Sequence, residues 1–203
     1  KTEQRIRELA IDNYSPAEVA QLIENRGVAK ANLDFFTTLG LSVLAGAFIA
    51  LGGVFSTLVG TESGLGFGPT RLLMGLAFSL GLILVVVAGA ELFTGNNLIV
   101  MSWVSRRITL RSLLRNWFIV YVGNLLGALS IVALVYLARW WELDGERVGV
   151  LALSIAHGKV WLSFPAAFFR GVLANVLVCL AVWLASSGRS VIDKAIAIVF
   201  PIT

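Results

Sequence analysis

Long apolar stretches separated by short polar ones dominate the chain. Four of them, at 33–59, 72–92, 113–137 and 164–185, each reach the ~20 residues that a helix needs to cross the hydrocarbon of a bilayer. A fifth begins at Ala195, reads "AIAIVFPIT" and stops at Thr203. It is too short to span anything and reads as a helix cut partway. Residues 1–32 are polar and lack the pattern of a cleaved signal peptide. The expected organisation is a cytoplasmic N-terminal segment over 1–32 and an all-α membrane domain over 33–203.

Within the polar segment, "SPAEVAQLIENRGVA" at 15–29 predicts a short amphipathic helix. Ser15 caps it, Pro16 suits its first position and Glu18 completes a capping box. Ala17, Val19, Ala20, Leu22 and Ile23 make an apolar stripe, suited either to the membrane surface or to the flank of a bundle. Gly40, Ala45, Gly46, Ala47, Ala50, Gly52 and Gly53 mark a packing face in the first span, as do Gly123 and Gly127 around Asn124 in the third. Small residues let helices approach closely where lipid gives no hydrophobic drive. The loop over 139–159 opens with Trp140 and Trp141, at the expected aromatic belt. Its apolar run at 148–155 fits a surface helix or the start of a tilted fourth span.

The second stretch is interrupted. "VVVAGAELFTGNNLIV" at 85–100 carries Glu91 and then Phe93-Thr94-Gly95-Asn96-Asn97 before apolar character resumes. The run from Leu72 to Ser105 is far longer than a straight span needs. Either a half-helix, an unwound turn and a second half-helix fill it, or the span ends at Leu92 and 93–105 lies at the interface. Only the first reading carries chemistry. Backbone at membrane depth is tolerated only where protein buries it or a wet cavity adjoins it. The amino end of the second half-helix would turn N–H groups and the positive end of its dipole toward an anion. Thr94, Asn96 and Asn97 would cap that end or offer donors, with Gly95 at the break. Broken helices of this kind hold substrate in many transporters.

Composition removes the soluble alternatives. The chain is 58% hydrophobic and only 14% charged, against about 25% charged in soluble domains, so lipid must be its main solvent. Net charge is +4, and its distribution matters more than its sum. Lys1, Arg5, Arg7, Arg26 and Lys30 precede the first span, Arg106, Arg107, Arg111 and Arg115 separate the second from the third, and Arg189 and Lys194 follow the fourth. Only Arg71, Arg139, Arg147 and Lys159 lie on the opposite side, which puts the N-terminus in the cytoplasm. These charges flank spans and form no separate basic domain, which excludes a nucleic-acid partner. The single cysteine, Cys179, excludes a disulfide framework and reads as packing. With the single histidine, His157, it leaves too few ligands for haem, zinc or an iron–sulfur cluster. No cofactor is expected, and no nucleophile–base pair suggests an enzyme.

"FSLGLILVVV", "AGAELFTGN", "RNWFIVYVGNLLGA", "GVLANVLVCLAVW" and "SGRSVIDKAIAIVFP" follow one another in an order that resembles the formate/nitrite transporter family, in its formate-channel branch. The likeness runs from about Leu33 to Thr203. It implies a homopentamer in the bacterial inner membrane. Each aquaporin-like protomer would have six transmembrane helices in two inverted repeats, with the second and fifth helices broken and the chain stopping within the fifth. It also implies that Thr94 hydrogen-bonds a central pore histidine in a "G-F-E-H-S" element downstream of Thr203; His157 is not its equivalent.

Residue by residue, the resemblance matches Phe78 and Leu82 to an apolar constriction on the outer side, and Leu92 and Phe93 to one on the inner side. It matches Asn175 to a polar residue facing the pore, and Lys159 to a vestibule lysine that collects anions. Each also has a plain reading: Phe78, Leu82 and Leu92 as core, Asn175 as interhelical glue, Lys159 as an interfacial anchor. Glu91 and Arg170 are the charges deepest in the spans. Glu91 fits the family pattern; Arg170 departs from it and would face a subunit boundary or pair with an acid. Mechanistically, Lys159 would concentrate the anion at the mouth. The apolar constrictions would oppose a bare anion, so a proton from a histidine would accompany formate. Nitrite, hydrosulfide and short monocarboxylates are rival solutes, and a non-transporting subunit of an oxidoreductase is the rival of another class.

Overall fold

A computed structural model describes residues 13–203; Lys1, Arg5 and Arg7, counted above, lie outside them. In chain order the helices are α1 (Pro16–Ala31), α2 (Phe35–Gly60), α3 (Phe67–Ala88), α4 (Phe93–Asn96), α5 (Val100–Val104), α6 (Leu110–Leu137), α7 (Arg147–Val160), α8 (Phe164–Ser187) and α9 (Val191–Ile202). Single 3-10 turns lie at Asn97–Ile99 and Trp140–Glu142. Helices α2, α3, α6 and α8 are long and apolar enough to cross a membrane, where the hydropathy pattern puts the four spans.

The predicted amphipathic helix forms as α1. Ser15 N–H donates to Glu18 Oε2 at 2.8 Å and Glu18 N–H donates back to Ser15 Oγ at 3.4 Å, the reciprocal box that satisfies two N-terminal donors. Its stripe packs on the bundle: Val19, Ile23, Gly27 and Ala31 are buried. The Ser102 hydroxyl donates to the Glu24 carbonyl at 2.8 Å, directly beside Gly27.

Helix α2 is the axis of the bundle, with α3 on one side and α6 on the other. Asp34 opens it, its carboxylate accepting from Thr37 N–H at 3.0 Å, and the bonds from Thr37 hold that carboxyl below the usual carboxylate range. Contact with α6 is backbone on backbone: Gly127 lies under the Val43 carbonyl and Gly46 against the main chain of Asn124. The predicted small-residue faces therefore meet each other. Across α2, the partners Ala45, Leu82, Val85, Ala90, Ala181, Ala185 and Ile198 make one buried cluster. Outside it, Phe118, Leu153, Phe164 and Phe200 are among many large apolar side chains left exposed, a surface fit for lipid or another subunit.

Two helices, α3 and α9, are bounded differently from the pattern. Helix α3 starts at Phe67 and stops at Ala88, before the apolar run ends, because Gly89 takes the left-handed φ of +73° that closes a helix. The run at 148–155 belongs to α7, a helix separate from α8. Helix α9 starts ahead of Ala195 because Ser190 and Asp193 form a second capping box.

Candidate functional site

The interruption in the second stretch lies at 89–92, between α3 and α4. Its non-helical main-chain groups find partners on neighbouring spans. Ala90 N–H closes back on the Val85 carbonyl at 3.0 Å, and Glu91 N–H donates to the Leu41 carbonyl of α2 at 3.2 Å. Asn124, midway along α6, bridges the rest. Its Oδ1 accepts from Phe93 N–H at 2.8 Å, while its Nδ2 donates to the carbonyls of Ser42 at 2.8 Å and Glu91 at 2.9 Å. Trp117 Nε1 donates to the Asn96 carbonyl at 3.0 Å. Irregular backbone survives away from water only when its polar groups are paired in this way.

A buried polar cluster lies beneath the turn. Glu91 is 3% exposed, and Lys30 Nζ of α1 stands 2.9 Å from its Oε1. Asn96 Nδ2 donates to Glu91 Oε2 at 2.7 Å and to Asn116 Oδ1 at 3.0 Å, while Asn96 Oδ1 accepts from Lys30 Nζ at 2.9 Å. Asn116 Nδ2 completes the ring on the Lys30 carbonyl at 3.2 Å. A carboxylate this buried requires both an opposite charge and filled hydrogen bonds. Glu91 has both, so it fastens α1 to the turn.

The geometry corrects the sequence reading of the break. Gly95 and Asn96 are helical, within α4, and Asn97 opens a 3-10 turn; the chain leaves the helix upstream, at Gly89. Neither asparagine caps the amino end of α4. The Asn96 side chain is engaged with Glu91, Asn116 and Lys30, and Asn97 Nδ2 donates to Asn175 Oδ1 at 3.2 Å. The cap comes from Asn124.

Other expected residues fall as follows. Thr94 is half-buried; its carbonyl accepts from Cys179 Sγ at 3.4 Å, and its hydroxyl makes no hydrogen bond among the described residues. Leu82, 1% exposed, belongs to the buried cluster against which Leu92 packs. Both also line a cavity of about 310 Å³, together with Gly95, Arg26, Lys30 and Lys194. Arg26 Nη1 donates to Ser186 Oγ at 3.0 Å at its edge. Phe93 is turned away from these residues: its ring meets Trp117 edge-on at 6.3 Å and Tyr121 at 5.4 Å. Phe78 is half-buried about one turn before Leu82 in α3. Lys159 lines a second cavity of about 470 Å³ with Arg71 and Arg170. Arg170 has no acidic partner among the described residues. His157 lies against Trp161, ring centroids 5.8 Å apart.

Sequence reasoning missed Lys30, Asn116, Asn124 and Trp117 as parts of the site. The available signal was polarity: asparagines inside an otherwise apolar span need partners.

Four apolar helices around a turn whose polar backbone is satisfied from neighbouring spans define a multi-pass helical membrane protein with a polar centre. The chain belongs to the formate/nitrite transporter family, which it matches over residues 17–203. It is 44% identical to the formate channel FocA of Escherichia coli strain K12 over 192 residues, covering 94% of this chain and 67% of that protein. Among solved structures it resembles a pentameric formate channel with formate bound, at 40% identity and TM-score 0.76, covering 83% of this chain and 66% of the other. It also resembles an FNT family ion channel, at 26% identity and TM-score 0.82, covering 92% and 74%. The chain thus spans about two-thirds of the length of its formate-channel relatives.

Proposed function

We propose that this chain forms the greater part of a channel for formate and related small monovalent anions, which carries the anion with a proton. The observation that carries this reading is the turn at 89–92, hydrogen-bonded through Asn124 to the middle of α6. The next turn reaches the middle of α8 through Asn97 and Asn175. Partners halfway along two spans fit a helix broken at membrane depth.

The whole protein is then a homopentamer of aquaporin-like protomers in the bacterial inner membrane, with the N-terminus and α1 in the cytoplasm. Each protomer has six helices in two inverted repeats, the second and fifth broken. The inner mouth is the cavity holding Arg26, Lys30 and Lys194, and the outer mouth is the cavity holding Lys159. Between them Leu92 and Leu82, with Phe78, narrow the path, and Thr94 and Asn175 supply its polar centre. An unpaired carboxylate in such an apolar neck costs tens of kcal/mol by idealised solvation. Neutralisation removes most of that penalty, which is why proton transfer belongs to the mechanism. The Thr94 hydroxyl orients the proton donor, a histidine that the family resemblance puts downstream of Thr203.

The test is formate uptake into proteoliposomes by the full-length protein. Uptake is saturable and faster with an inward proton gradient, and Thr94→Val slows it about tenfold, the equivalent of one hydrogen bond of about 1.4 kcal/mol. Uptake and pH dependence unchanged in Thr94→Val remove Thr94 from the path. Competition by nitrite and hydrosulfide ranks the rival solutes.

A further inference from the structure

The mouth remote from α1 carries more positive charge than one monovalent anion neutralises. Its cavity is lined by Arg71 from α3, Lys159 from α7 and Arg170 from α8, with no Asp or Glu among the described residues of its wall. Three separate elements deliver these side chains to one recess of about 470 Å³. Arg71 is steadied by Phe67, whose ring centroid lies 5.3 Å from the guanidinium carbon. Lys159 and Arg170 are exposed, and none of the three cations forms an ion pair among the described residues. Glu62, near in sequence, is engaged by Arg147 at 2.8 Å, so it does not discharge the recess. A guanidinium on an apolar span is costly unless it faces water or a counter-ion, and Arg170 faces this recess.

We propose that Arg71, Lys159 and Arg170 form an anion site that binds small divalent oxyanions, of which sulfate is the simplest, more tightly than the monovalent substrate. Arg170 sets that preference. The inference rests on the channel reading above and deepens it by giving one mouth a selective block. Attraction grows with the charge of the anion, and guanidinium groups pair two oxygens of one oxyanion at once. Cations sharing a recess of this size act within about one screening length of 8 Å at physiological salt. A monovalent anion leaves two of the three charges uncompensated, whereas a dianion leaves one. The dianion cannot shed both charges to pass the apolar neck, so it occupies the mouth and competes there.

The experiment measures formate uptake by the full-length protein in proteoliposomes, with sulfate added at constant ionic strength. Millimolar sulfate on the Lys159 side raises the half-saturating formate concentration about tenfold. Arg170→Gln abolishes most of that rise, and Arg170→Lys, which keeps the charge but loses the two-oxygen pairing, retains only part of it. Equal sulfate inhibition of the parent and Arg170→Gln overturns the proposal, as does inhibition only from the α1 side. Calorimetric titration of the purified protein with sulfate separates this inference from the transport reading. If the parent carries no formate but binds sulfate, and Arg170→Gln loses that binding, the site stands alone. No sulfate binding by the parent, or equal binding by both proteins, refutes it.

Discussion

Replacing Asn124 with alanine removes the side chain that bonds both the Glu91 carbonyl and the Phe93 N–H. Phe93 N–H loses its acceptor at 2.8 Å and the Glu91 carbonyl its donor at 2.9 Å. The Ser42 carbonyl loses a bond of 2.8 Å, but it lies within α2 and keeps its place in the helical ladder. An orphaned polar group away from water costs about 1–3 kcal/mol. Assigning about 2 kcal/mol to the N–H and about 1 to the Glu91 carbonyl gives a loss of about 3 kcal/mol. For a domain of 150–250 residues that corresponds to a fall in Tm of about 6–12 °C. Asn124→Asp is the sharper variant. It keeps an acceptor for Phe93 N–H but turns a carboxylate oxygen toward two carbonyls, so its Tm falls at least as far. The assay is thermal unfolding of the detergent-purified full-length protein by tryptophan fluorescence, beside formate uptake. Asn124→Ala melting within about 2 °C of the parent refutes the claim that Asn124 holds the turn.

Two further perturbations test neighbouring parts of the account. Lys30→Met leaves Glu91 buried without its cation and costs about 3 kcal/mol or more; Lys30→Met/Glu91→Gln recovers part of that loss, and a double variant no more stable than Lys30→Met denies the pairing. Gly127→Ala drives a methyl into the Val43 carbonyl, a backbone atom with no room to give, and costs about 1–3 kcal/mol; an unchanged Tm shows that α2 and α6 are held apart from one another.

The spans were legible because lipid demands ~20 apolar residues in a row, and the caps of α1 because Ser15, Pro16 and Glu18 are local in sequence. The end of α3 was hidden because Gly89 lies among apolar residues, and hydropathy does not register a change of φ. The polar side chains around the turn were legible as types and misassigned as roles. Asn96 reads as a donor for a solute until the fold brings Asn116 and Lys30 to it from α6 and α1. Asn124 reads as a packing residue between two glycines, yet that packing is what brings it to the turn. Phe93 reads as part of a constriction, whereas Trp117 and Tyr121 draw its ring toward α6. Lys159 and Arg170 were flagged separately, since only the tertiary fold puts them in one recess with Arg71.

The most direct measurement is a cryo-EM map of the full-length protein in lipid nanodiscs with formate, in which the lipid slab gives the depth of each residue. The account predicts Leu92, Phe93 and Thr94 near the slab midplane, with an anion about 3 Å from the Thr94 hydroxyl. A turn among the head groups, or acyl chains packed directly against Thr94, contradicts it.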